Sequence, residues 1–420
     1  MREMKDSGIE WIGDIPVSWK IMPNKYLMRK EKKICPVYHG EDILSLTMKG
    51  VIVRDLDAGG KMPTSFDGYQ RLEAGNLLMC LFDIDVTPRC VGLIKQAGVS
   101  SPAYSQFVLR KGADAAYYCY YYTMLDNDKT LLHLAKNLRH SLTEDQLGAI
   151  PVIVPPIEEQ QRIADFLDTK CAEIDALTAD IQTQIDTLEQ YKRSVITETV
   201  TKGLNPDVDM KDSGIEWVGA IPAHWSIHPV YTYFGERKNK NSFGREDNLL
   251  SLSYGRVIRK DINTSDGLLP ESFNTYNIVE AGDIIIRPTD LQNDKRSLRT
   301  GLVKEHGIIT SAYIDLYPLK KVDSRYFHFL LHAYDTMKVF YNMGNGVRQG
   351  LNYSEFSRLM VFEPPYDEQV AMADYLEAKV EEVDVVISDK KAQLATLDEY
   401  KKSLIFEYVT GKKEVSEGAD

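Results

Sequence analysis

Apolar positions along this chain follow two different periods. Over 1–154 and again over 204–363 they come in short runs, such as Leu77–Phe82 and Ile284–Ile286, broken by Gly, Pro, Asn or Asp. Runs of that length bounded by turn residues predict short strands, with a helix or two among them. The aromatic run Tyr117–Tyr122 and its later counterpart Tyr326–Phe329 predict a helix whose rings face a core. Between these regions the period lengthens. No Pro or Gly occurs from Ile157 to Lys202, or from Tyr366 to Thr410. Both stretches follow Pro-Pro and open with two acids (Glu158 and Glu159; Asp367 and Glu368), which suits a helix N-terminus. Leu167, Ile174, Leu177, Ile181, Leu188, Tyr191 and Val195 in the first, and Val383, Val386, Leu394, Leu397 and Leu404 in the second, fall mostly on heptad spacing. Each stretch predicts one helix of roughly 65–70 Å, at ~1.5 Å per residue.

The chain is also duplicated. Met4-Lys-Asp-Ser-Gly-Ile-Glu-Trp-Ile-Gly-Asp-Ile-Pro-Val-Ser-Trp19 returns as Met210-Lys-Asp-Ser-Gly-Ile-Glu-Trp-Val-Gly-Ala-Ile-Pro-Ala-His-Trp225, an offset of 206. Glu73-Ala-Gly-Asn-Leu-Leu78 returns as Glu280-Ala-Gly-Asp-Ile-Ile285 at 207, and Pro155-Pro-Ile-Glu-Glu-Gln160 as Pro364-Pro-Tyr-Asp-Glu-Gln369 at 209. Matches in one order with so little drift mark two tandem copies of one unit. A long apolar stripe must be covered, and the nearest match for each stripe is the other copy's. The expectation is therefore an α+β chain with a pseudo-twofold internal repeat. Two globular mixed α/β domains (1–154 and 204–363) are separated by two long helices (155–203 and 364–413), and an acidic tail follows (414–420). The helices are expected to pack as an antiparallel coiled coil through Ile174, Leu177, Ile181, Leu188, Val383, Val386, Leu394 and Leu397, with the globular domains at opposite ends of the rod.

Charge sharpens this picture. The net charge of −12 counts, for the chain as a whole, against a nucleic-acid binder. Yet 157–203 holds 10 acids to 5 bases, 366–413 holds 11 to 7, and the last seven residues add three acids, leaving 38 of each sign elsewhere. The acidity belongs to the helices and tail; the globular domains are neutral on average and free to carry a basic face. No apolar run approaches the ~20 residues of a membrane span, and no signal-peptide core follows Met1. The five cysteines form no C-x-x-C pair, which suits free thiols and a cytoplasmic setting.

No phosphate loop, dinucleotide fingerprint, zinc spacing or nucleophile elbow occurs, nor the Asn/Asp-Pro-Pro-aromatic tetrapeptide of an amino-methyltransferase. Metal ligation shared by the copies is not expected, because every cysteine lies in the first. A duplicated chain without catalytic motifs points to a binder. The segment from Arg287 to Arg299 gathers Arg287, Thr289, Asp290, Gln292, Asn293, Lys295, Arg296 and Arg299, side-chain types that pair with base edges in a DNA groove. Its counterpart in the first copy is shorter and offers Asp83, Thr87 and Arg89. Candidate phosphate contacts are Lys25, Arg29, Lys32 and Arg139 in the first copy and Arg237, Lys238, Arg256 and Arg348 in the second. The framework repeats while these loops differ, so one scaffold presents two recognition surfaces.

The entry motif Ile-Glu-Trp-Ile-Gly-Asp-Ile-Pro…Trp and the helix openings Pro-Pro-Ile-Glu-Glu-Gln-Gln-Arg-Ile-Ala-Asp-Phe-Leu-Asp and Pro-Pro-Tyr-Asp-Glu-Gln-Val-Ala-Met-Ala-Asp-Tyr-Leu-Glu carry a resemblance. From about Met4 to Lys413 the chain resembles the specificity subunit of type I restriction-modification systems. The resemblance implies a non-catalytic subunit whose two target-recognition domains each read half of an asymmetric bipartite site in double-stranded DNA. It also implies spacer helices on which two methyltransferase subunits dock, with restriction subunits that hydrolyse ATP and cut DNA joining them. S-adenosylmethionine, ATP and magnesium would belong to those partners, and no cofactor to this chain. The family's base-reading residues vary and carry over by no motif. Two other readings stay open: a scaffold bridging proteins without touching DNA, and a self-sufficient DNA-modifying enzyme.

Overall fold

The computed structural model describes residues 2–57, 63–135, 140–263, 272–289, 291, 298–343 and 350–415. It divides into two compact units, Met1–Ile181 with Ala392–Asp420, and Gln182–Lys391. Each unit thus takes one globular domain, the start of the long helix that follows it and the end of the other long helix.

In the first unit an antiparallel four-stranded sheet runs in the order Met28–Glu31, Ser105–Leu109, Leu77–Met79, Val91–Leu93, with Gln106 opposite Leu78. The second unit repeats it as Phe234–Glu236, Ile314–Pro318, Ile284–Ile286, Thr300–Leu302, with Asp315 opposite Ile285. The central strands are buried on both faces, which explains why Leu77–Met79 and Ile284–Ile286 read as unbroken apolar runs rather than alternating ones. A helix crosses each sheet, Ala115–Asn127 and Ser324–Thr336, begun by Asp114 and Asp323, whose side chains accept backbone N–H bonds. Its aromatic run faces the core: Tyr117, Tyr118, Tyr121 and Tyr122 are fully buried, as are Tyr326 and Phe327.

The repeated motifs are the parts of one joint. In the first unit the Trp19 indole N–H donates to Glu159 Oε2 (2.9 Å) at the start of the first long helix, Ile157–Lys202. Gln160, wholly buried, accepts the Asp114 N–H (2.8 Å) and donates to the Pro155 carbonyl (2.8 Å), tying that helix to the sheet-crossing one. Tyr117 Oη donates to the Val409 carbonyl (2.8 Å) at the end of the second long helix, Tyr366–Val409. The second unit repeats each part: Trp225 to Glu368 (2.9 Å), Gln369 with the Asp323 N–H (3.0 Å) and the Pro364 carbonyl (2.8 Å), and Tyr326 to the Val200 carbonyl (3.3 Å). Pro-Pro-x-acid-Glu-Gln therefore recurs because Glu and Gln are the bolts that fix a helix to a domain.

Within each unit the helix segments run antiparallel. In the first, Phe166 packs on Tyr408 (centroids 4.4 Å apart) and Asp175 pairs with Lys401 (2.5 Å); in the second, Lys192 pairs with Asp384 (2.6 Å) and Gln184 meets Lys390. Numbers rise on one helix as they fall on the other. Ile174, Ile181 and Val383 are buried in the seam, and Leu188, Leu394 and Leu397 are half-buried. Two of the expected pairing residues are corrected. Leu177 and Val386 face outward, and Ile185 and Ile387 take seam positions instead. The buried set steps by alternating threes and fours, so a residue one place off the stripe turns by about 100° and leaves the seam. Neighbours on one helix test this. Ile387 is 5% exposed and Val386 39%, so Ile387→Ser should cost about 2–3 kcal/mol and Val386→Ser under about 0.5 kcal/mol in denaturant unfolding. Equal losses would refute the seam.

Candidate nucleic-acid interface

In each unit the candidate base-reading loop connects the two strands at the sheet's far edge and is anchored in the core by Ile84 in the first unit and Leu291 in the second. In the first unit, Asp83 opens the loop in a left-handed conformation (φ 47°) and is exposed, and the Thr87 hydroxyl donates to the Phe82 carbonyl (3.3 Å). Arg89 is corrected. Its guanidinium donates to Asp126 (3.3 Å) and Asn127 (2.9 Å), so it braces the loop against the helix instead of projecting from it. Buried Asp126 also accepts the Cys90 N–H (3.0 Å) and pairs with Lys129 (3.1 Å).

The second unit uses the same brace with a different side chain. Asp335, at the position of Asp126, accepts the Arg299 N–H (2.7 Å). Arg299, 0% exposed, donates to the carbonyls of Arg287 (3.3 Å) and Thr289. Arg299 is therefore corrected from base reader to the stitch that closes the loop's stem. Arg287 is half-buried, its N–H bonded to the Arg299 carbonyl (2.8 Å); Thr289 is exposed, and Leu291 anchors in the core. Asp290, Gln292, Asn293, Lys295 and Arg296 lie outside the described residues.

Of the phosphate candidates, Lys25, Arg29, Lys32 and Lys238 are exposed. Lys25 lies over the Tyr26 ring (5.2 Å), Arg29 beside Glu31 (3.2 Å) and Lys238 beside Glu236 (2.8 Å), in screened surface pairs that a phosphate can displace. Arg256 is exposed but pairs with Asp384 on the second long helix, which also holds Lys192. Arg237 is corrected: half-buried, it grips both oxygens of Asp283 (2.7 and 3.0 Å). Arg139 and Arg348 lie outside the described residues. Beside Arg237, the Asp315 carboxyl is pushed up to about 8, by burial first and then by the Asp283 charge, against the pull of Arg237 (3.9 Å).

Exposed aromatics escaped sequence reasoning. Tyr254 sits at the tip of the hairpin joining Leu250–Ser253 to Arg256–Arg259, where it and Gly255 have φ of 47° and 78°. Two positive φ values mark a two-residue turn of the primed kind, whose sequence signal is the X-Gly pair. Among the described residues no group of three or more His, Cys, Asp or Glu side chains is placed to hold a metal, and no helix is long and apolar enough to cross a membrane.

Residues 91–187 match the family model described as the Type I restriction modification DNA specificity domain. The chain is 25% identical over 284 residues to a chain of Methanocaldococcus jannaschii named as the type I restriction enzyme MjaX specificity subunit, covering 65% of this chain and 61% of that one. It is 24% identical over 285 residues to the type I restriction enzyme MjaVIII specificity subunit of the same organism, covering 63% and 62%. The chain thus spans about three-fifths of the length of the curated relatives it matches. In fold it is similar, with a TM-score of 0.68 at 11% identity, to a chain from a structure on complex assembly and conformational transition of the type I R-M system, covering 95% of this chain and 99% of that one.

Proposed function

From the premise that this chain is a relative of the type I restriction-modification specificity subunits, we propose that it is the non-catalytic DNA-reading subunit of such a complex. Each globular domain reads one half of an asymmetric bipartite site in double-stranded DNA. The paired helices set the distance between the halves and dock two methyltransferase subunits, which restriction subunits join in the cytoplasm. S-adenosylmethionine, ATP and magnesium serve those partners. The observation that carries this reading is the contrast between joint and loop. The Trp–Glu–Gln joint is the same in both units to the hydrogen bond. The loops at the sheet edge keep their stems, the Asp126 and Asp335 braces among them, and differ in length and in the side chains they carry. Selection for one frame with two different rims is what reading two unlike short sequences requires, because backbone contacts position a protein and varied side chains at base edges specify. The acidic helices repel phosphate and suit protein partners.

The test is the host's methylation pattern, read by single-molecule sequencing with the gene intact and deleted. Deletion should erase methyladenine from one bipartite motif. Exchanging 287–299 for another sequence should change one half of that motif and leave the other. Loss of neither half, with the complex still assembled and methylating, would favour a protein-bridging scaffold.

A further inference from the structure

Resting on the DNA-reading function proposed above, we infer that Phe243 is an aromatic wedge that stacks on or between bases in the half-site read by the second unit, with Arg245 supplying its phosphate contact. Phe243 is 81% exposed, more than any other large apolar side chain among the described residues. The turn that carries it is stiff. Buried Asn241 accepts the Glu246 N–H (3.2 Å), donates to the Glu246 carbonyl (2.8 Å) and accepts the Gly244 N–H on its own carbonyl (2.8 Å). Gly244 turns the chain at φ 60°, where a Cβ would lie 2.9 Å from Asn274 Oδ1. Glu246 is held in turn by the Asn248 N–H (2.9 Å) and His306 (2.8 Å). An exposed phenyl ring on a pinned turn loses little freedom on binding, which is the arrangement that favours a contact made by a rigid anchor.

The chemistry around the ring selects the partner. The Arg245 guanidinium lies 5.1 Å from the Phe243 centroid, and Arg245 is itself exposed. An aromatic face beside a guanidinium matches a base next to its phosphate, and apolar side chains of this size are the ones that enter base steps. The first unit builds the same turn differently: Cys35 takes the place of Asn241, and Val37, 55% exposed, takes that of Phe243. Valine has no π-face. Stacking is therefore expected in one half-site only.

The test uses the full chain assembled with its methyltransferase partner and duplexes carrying the mapped site, with 2-aminopurine placed at successive positions. Fluorescence should rise at one step of the second unit's half-site, away from the methylated adenine. Phe243→Ala should abolish that rise and weaken binding about 10-fold, Phe243→Trp should restore both, and Val37→Ala should change neither. Arg245→Ala should lower the salt dependence of binding by about one phosphate contact. Wild-type binding with no rise outside the methylated adenine, or an unchanged Phe243→Ala variant, would overturn the wedge and leave the DNA-reading function standing. A Phe243→Ala chain that binds DNA normally but loses its methyltransferase would make the ring a protein contact. Wild-type assembly that binds no duplex would overturn both.

Discussion

Gly411→Ala is expected to lower the unfolding midpoint of the first unit sharply, by about 3 kcal/mol of stability, while Gly203→Ala costs the second unit only about 1–2 kcal/mol. Each glycine ends a long helix in the left-handed conformation, at φ 71° and 76°, so both substitutions strain the backbone. They differ in the space beyond. A Cβ on Gly411 would lie 2.7 Å from Pro16 and 2.8 Å from the Trp19 ring, against 3.3 Å from the Trp225 ring for Gly203. Trp19 is wholly buried and held by Glu159, so it has nowhere to go, and the joint between helix and domain must open. Thermal unfolding followed by hydrogen exchange, which separates the units, checks the order. A first unit that tolerates Gly411→Ala as well as the second tolerates Gly203→Ala would mean that the close approach at Trp19 does not exist.

The second large effect is a pH dependence confined to one unit. Asp315 is buried with neither carboxylate oxygen hydrogen-bonded, and its pKa is raised to about 8. Facing it are Arg237 and Asp283, bound to each other, with Glu236 and Glu280 nearby. The unfolded chain releases the Asp315 proton near pH 4, whereas the folded unit keeps it until about 8. Between those values Asp315 gives the native state one proton more, a contribution that falls as pH rises by up to about 1.4 kcal/mol per pH unit. His328 and His332, which desolvation holds down to about 3 and about 4, act in the opposite direction below about pH 6.5, so the fall is read between pH 7 and 8. The loss is complete above pH 8 and absent below 4. Asp315→Asn should flatten this slope and stabilise the second unit at pH 8 by about 2–4 kcal/mol. The first unit shows why: Asn76 and Gln106 fill the places of Asp283 and Asp315, with Asn76 donating to Gln106 Oε1 (3.3 Å), which also accepts the Glu73 N–H (2.8 Å). The difference between the midpoints of wild type and variant across pH 5–8.5, in which the contributions of His328 and His332 cancel, decides the matter. A wild-type second unit whose profile is flat between pH 7 and 8 and matches that of Asp315→Asn would mean that Asp315 folds already ionised.

The sequence by itself determined the duplication, the strand-rich domains, the two long helices and the motifs that bolt them together. These are encoded locally: strand and helix periods, Pro-Pro starts, glycine stops, and an offset that repeats because the frame does. It even marked the joint, since Trp19, Glu159 and Gln160 recur at Trp225, Glu368 and Gln369. Only the tertiary structure decided what the polar residues do. Arg89, Arg237 and Arg299 look in sequence like Arg29 or Lys238, yet each meets a buried carboxylate or a pair of carbonyls that comes from 10 to 46 positions away. An arginine in a loop satisfies a buried acceptor or reaches solvent according to which strand packs beneath it, and no local pattern records that. The seam shows the same limit on a smaller scale. Val386 and Ile387 are chemically alike, and the rotation of one helix against its partner assigns one to water and the other to the core.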